Sequence, residues 1–166
     1  MGDVLFTFDI DATPDVVRQA LTTSEGIASF WTDRAEVPAE VGKTLNVGFP
    51  EAPVPFDLVL SQSDDKMITW RTATFPPQWV GTDIRWEISG GDGISTVTFR
   101  HGTFTDESEE GRVAYVWGQV MVQLKRYVET GVAAPVFVNQ KWRGSAATTS
   151  LSGELCHEDS RRHHRN

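Results

Sequence analysis

The strongest constraint in this sequence is a change of hydrophobic period near residue 112. Before it, short segments repeat every second residue; after it, apolar side chains fall at helical spacing. Val113, Trp117, Val120, Met121, Leu124 and Val128 share one side of a helix predicted over about Arg112–Glu129. An apolar stripe of that width faces a core. Lys125 and Arg126 sit near the negative end of this helix, and Gly131 supplies a stop. It is the longest helix the sequence predicts, and the one with the length to span a sheet.

The segments ahead of it read as strands. Val4, Phe6, Phe8 and Ile10 alternate with Leu5, Thr7 and Asp9, the mark of a half-buried strand. Two short helices follow. The first has Thr13 as N-cap, Pro14 at its first position and Val17, Ala20 and Leu21 on one face. The second has Ser24 as cap and an apolar side of Ile27, Phe30 and Trp31, with Gly26 lowering its propensity. Strand patterns then resume at Glu36-Val37, Thr44–Phe49, Phe56–Leu60, Ile68–Thr72, Asp83–Ile88 and Thr96–His101. The proline-rich Pro50–Pro55 cannot join a ladder and predicts a loop, at a cavity mouth or between strands. Gly90–Gly93 predicts a turn, and the acidic Asp106–Glu110 a solvated loop. Such short connections leave no room for parallel crossovers and favour hairpins. The expected class is α+β: a curved antiparallel sheet around a long C-terminal helix, with two short helices after the first strand.

The 166 residues suffice for one domain, expected over residues 1–138, with 139–166 as a polar, mobile tail. No stretch approaches the roughly 18 apolar residues of a membrane span, and the N-terminus lacks the basic flank of a signal peptide. Membrane insertion is therefore not expected, and the cytoplasm is the expected compartment. The net charge of −8 is uneven: residues 1–60 carry ten acids against three bases. That balance disfavours polyanion contacts, so nucleic acid is not an expected partner. Cys156 is the single cysteine, which excludes an internal disulfide or a thiolate cluster and predicts an inert thiol. Three of the four histidines lie in the tail, so no metal site is expected. No metalloprotease, phosphate-loop or dinucleotide motif occurs, and no cofactor is expected.

The order strand, two helices, about six strands, long helix resembles the helix-grip, or START-like (SRPBCC), superfamily. Within it the chain is similar to bacterial relatives of the C-terminal domain of the activator of the heat-shock-protein-ninety ATPase. The matching segments are Phe8–Val17 with Ala20-Leu21-Thr22, Thr23–Trp31, Lys66–Trp70, Ser95–Phe104 and Trp117–Gly131. The resemblance implies a sheet gripping the long helix and leaving a ligand-sized cavity. It implies roles ranging from carrying hydrophobic molecules, through cyclase-type chemistry, to partnership with a chaperone.

The inward-facing registers give Phe30, Trp31, Phe56, Trp70, Trp86, Phe99, His101, Trp117 and Met121 as the candidate lining of such a cavity. An apolar concavity with a few polar groups is the usual form of a small-molecule site. The leading expectation is therefore binding of a small hydrophobic or amphipathic molecule. A cyclase-, dehydratase- or hydrolase-like enzyme would need His101 or Tyr115 to converge inside the same cavity, and no catalytic residue is named. A protein-interaction module or chaperone cofactor would expose aromatics near Phe75–Trp79 or Val136–Trp142. A homodimer is compatible with each.

Overall fold

The computed structural model describes residues 2–139. Seven strands form one sheet in the order β1-β7-β6-β5-β4-β3-β2, every neighbouring pair antiparallel. The strands are β1 (Gly2–Ile10), β2 (Arg34–Glu36), β3 (Thr44–Gly48), β4 (Phe56–Ser63), β5 (Met67–Thr72), β6 (Asp83–Gly91) and β7 (Ile94–Phe104). From β2 to β7 the chain meanders, each strand pairing with the next. The first strand instead closes beside the last, its residues Val4–Ile10 paired with His101–Ser95. Register shifts between Gly2 and Val4 and between Leu60 and Gln62 bend the sheet. The β6–β7 turn is narrower than the four residues expected. Asp92 and Gly93, with φ of +54° and +84°, complete a two-residue hairpin of the type that matches strand twist.

The two short helices fall where the apolar faces place them: α1 (Pro14–Thr22), burying Val17, Ala20 and Leu21, and α2 (Ser24–Phe30), burying Ile27 and Phe30. The cap of α2 is Thr23 rather than Ser24. Thr23 accepts a hydrogen bond from the Gly26 N–H, while Ser24 accepts one from Val37. Gly26 lies against α1 so closely that a Cβ there would meet the Ala20 carbonyl oxygen at 2.1 Å.

The long helix α3 runs Glu107–Thr130 and begins five residues before the expected Arg112. The acidic stretch expected to be a loop is its first turn. Asp106 caps the Ser108 N–H, and Glu107, Glu109 and Glu110 bring negative charge to the positive end of the helix. Its buried side is Val113, Trp117, Val120, Met121 and Leu124. At the other end the Gly131 N–H donates to the Tyr127 carbonyl. Lys125 donates to the Asp9 carbonyl, and Glu129 accepts from the Asp11 N–H, fastening α3 to the end of β1.

After α3 the chain returns across α2. Ala134 donates to Ser29 and Phe137 to Trp31, and Thr32 bridges to Phe137. Asn139, the first residue of the expected tail, is bonded through its N–H to Asp33 and is nearly buried. The rest of that tail, with Cys156 and the remainder of the Val136–Trp142 segment from Gln140 on, lies outside the described residues.

Candidate functional site

A buried aromatic cluster joins the sheet to α3. Trp70 stacks on Trp31 at 5.9 Å and meets Trp86 edge-on at 5.6 Å; Phe99 lies 4.7 Å from Trp86 and 4.6 Å from Trp117. With Phe30, these side chains are almost wholly inaccessible, so the middle of the sheet packs solidly against the helix. Open space lies around this cluster, and its most apolar part is at one end. There a pocket of about 340 Å³ is bounded by the N-terminal half of α3, the residue after α2, the β3–β4 and β5–β6 loops and the returning chain at Phe137.

Three of the nine candidate residues line this pocket: Trp31, Phe56 and Trp117. Phe30, Trp86, Phe99 and Met121 belong to the packed interior, Trp70 borders a separate pocket of about 190 Å³ beside α1, and His101 stands behind the pocket wall. The remaining aromatic wall comes from Phe49, Phe75, Trp79 and Phe137. Phe49 packs 4.4 Å from Phe56 and 4.9 Å from Phe137, and Trp79 lies 5.2 Å from Phe56. The Pro50–Pro55 loop stands at the mouth, where Glu51, Ala52 and Pro53 form part of the rim. Phe75 and Trp79, expected as an exposed patch if the chain were an interaction module, turn inward instead, Trp79 being only 9% exposed.

His101 organises the wall. The indole N–H of Trp117 donates to its Nδ1 at 3.1 Å, and its Nε2 lies 3.0 Å from the Thr82 hydroxyl. The Thr82 hydroxyl in turn donates to the Trp79 carbonyl at 2.6 Å. An indole N–H can only donate, so Nδ1 is an acceptor and the proton of the neutral ring sits on Nε2, directed at Thr82. The polarity then runs unbroken from Trp117 through His101 and Thr82 to Trp79. Burial lowers the His101 pKa from 6.5 to about 3, against an upward pull from Asp3. Both ring nitrogens are engaged: the ring holds the Trp117 indole directly and, through Thr82, the backbone of Trp79, whose own indole N–H has no partner among the described residues. Tyr115 is 74% exposed and does not converge on it.

Polar groups on the pocket wall are few: Glu51, Gln78 and Arg112. Arg112 reaches back to Glu109, its Nη2 2.5 Å and its Nε 3.3 Å from the two carboxylate oxygens. Arg71, Arg85 and Arg100 lie on the other face of the sheet, where Arg71 approaches Asp83 and Arg100 pairs with Asp3. Among the described residues no three His, Cys, Asp or Glu side chains gather as a metal site, and no helix is long and apolar enough to cross a membrane.

Comparison with known proteins matches this architecture. The solution structure of the Aha1 dimer from Colwellia psychrerythraea is similar at 25% identity and a TM-score of 0.70, over 79% of this chain and 98% of that one. SSP2350 from Staphylococcus saprophyticus is similar at 19% identity and a TM-score of 0.66, over 82% and 98%. DynU16, a protein of the dynemicin biosynthetic locus, is similar at 21% identity and a TM-score of 0.70, over 84% of this chain but 52% of its own. No protein with a curated description matches. The family model for Activator of Hsp90 ATPase homolog 1-like proteins matches residues 11–129. The chain belongs to that family, with the helix-grip fold of the START-like superfamily.

Proposed function

We propose that the protein binds a small hydrophobic or amphipathic molecule in the pocket between the N-terminal half of α3 and the two loops facing it. The observation that carries this reading is the pocket itself: about 340 Å³ of open space walled by seven aromatic side chains. That volume lies at the lower end of the roughly 300–1,000 Å³ range of small-molecule sites. Tight packing of the neighbouring cluster makes the pocket preformed, which lowers the ordering cost of binding. A catalytic use of the same pocket has less support, since His101 serves to hold Trp117 and Thr82 in place.

A second reading concerns assembly. The Colwellia relative is a dimer, and by that likeness this chain pairs with another copy while binding its ligand. The cytoplasm is the compartment we assign to it.

Native mass spectrometry of freshly purified protein tests both readings at once. The expected spectrum shows a two-chain mass, with an apolar adduct near one molecule per chain that denaturing extraction releases. A bare protein that also takes up none of a panel of aromatic small molecules would contradict the ligand reading. A one-chain mass at micromolar concentration would contradict the dimer.

A further inference from the structure

The interior of the grip opens in two places. Besides the aromatic pocket, the second one of about 190 Å³ beside α1 has an apolar floor of Leu21, Leu45, Leu60 and Trp70, with Arg18 among its polar members. Both pockets rest on the same inner face of β3 and β4. The inward positions of β4 run Phe56, Leu58, Leu60: Phe56 lines the first pocket, Leu60 the second, and Leu58 between them is wholly buried. Val47 is likewise buried between Leu45 of the second pocket and Phe49 of the first. At a strand rise of about 3.3 Å per residue, Phe56 and Leu60 stand roughly 13 Å apart.

A pair of indoles fills the gap. Trp31 belongs to the wall of the first pocket and Trp70 to that of the second, and their rings stack 5.9 Å apart with planes 4° from parallel. Both are almost inaccessible, and each is backed by a further ring, Trp31 by Trp117 at 4.9 Å and Trp70 by Trp86 at 5.6 Å. Rings packed on both sides have nowhere to move when a ligand presses on them. At the first pocket the polar wall residues Glu51, Gln78 and Arg112 are exposed. An amphipathic molecule therefore keeps its polar end beside them, in reach of water, and sends its apolar end inward.

We propose that the Trp31–Trp70 stack is an end stop that sets ligand length. It restricts the aromatic pocket to compact apolar bodies, and it divides what would otherwise be one channel through the grip. This deepens the proposed function and rests on the aromatic pocket being a ligand site. The straight-chain alcohols from butanol to dodecanol, with 2-naphthol as a compact reference, test it by isothermal titration calorimetry. In the parent, affinity is expected to rise about fourfold per methylene and then to level off within the series, once the chain end meets Trp31. In Trp31→Leu the rise should continue past that point, so that the first longer alcohol binds about fourfold tighter to the variant than to the parent. Adding Trp70→Leu should carry the rise further still. Trp31→Phe, which removes only one ring of the indole, answers the same question where urea unfolding shows that leucine has loosened the core.

An affinity that climbs through dodecanol in the parent, or a plateau at the same length in every folded variant, overturns the stop and leaves the pocket standing. Binding of 2-naphthol without any of the alcohols does the same. Failure of 2-naphthol as well overturns the inference together with the ligand reading beneath it.

Discussion

His101 shows how one residue couples packing to protonation. Its Nδ1 accepts from a donor that has no alternative role, so a proton added there would set two N–H groups against each other inside the core. The folded state thus keeps the ring neutral, with a pKa of about 3, while the unfolded chain protonates near the ordinary 6.5. Between those values the unfolded state binds more protons, so stability is complete above pH 6.5 and is lost as the pH falls towards 3. Integrating that difference from pH 7 to pH 5 gives a loss of about 2 kcal/mol attributable to this one ring. His101→Gln keeps an acceptor for Trp117 and a donor for Thr82 but cannot titrate. Urea unfolding at the two pH values should show the parent losing about 2 kcal/mol more than the variant. Equal losses would mean that the ring titrates alike in both states. The carboxylates common to the two proteins cancel in that comparison.

At the scale of elements, Gly26 illustrates what a local pattern conveys and what it omits. As a propensity signal it only weakens α2. In the fold it permits α2 to lie directly on α1, where any Cβ would strike the Ala20 backbone. Gly26→Ala should therefore destabilise by more than about 2 kcal/mol, although alanine is the better helix former. The urea midpoint measures this; a variant as stable as the parent would show that the helices can separate at little cost. The same distinction explains what was legible in the sequence. Period-two and helical patterns placed the strands and the buried face of α3, because each reports one face turned to a core. The start of α3 is not legible in the sequence because Glu107–Glu110 looks solvated in either state, and only the Asp106 cap and the helix dipole assign it to the helix. Inward-facing registers report which aromatic side chains turn towards the core. They carry no information on where packing stops, so they do not separate the filled cluster at Trp86 and Phe99 from the open end at Trp79. Phe49, Phe75 and Trp79 lie at strand ends and in loops, where periodicity is silent; proline beside them, at Pro50 and at Pro76-Pro77, was the one available hint.

The pocket belongs to the whole molecule rather than to any element. Trp31 follows α2, Phe49 and Phe56 flank the proline-rich loop, Trp79 ends the short 3-10 turn within the β5–β6 loop, Trp117 comes from α3, and Phe137 arrives after α3 has ended. Phe137 is the test of that convergence. Its backbone is held by the N–H bond to Trp31 and the carbonyl bond from Asp33, independently of its ring. The ring packs edge-on against Phe49 and closes one side of the pocket, but it remains partly exposed and lies outside the cluster that joins the sheet to α3. Phe137→Ala should cost about 1–2 kcal/mol of folding stability, less than truncation of a fully buried aromatic. Affinity for an aromatic ligand should fall more steeply, about tenfold, because the ring's removal opens the wall to water and takes away an aromatic contact. Urea unfolding and calorimetric titration of the same variant measure the two effects. A loss of stability with unchanged affinity would place the ligand elsewhere; a loss of affinity with the fold intact would show that the chain returning after α3 completes the binding site.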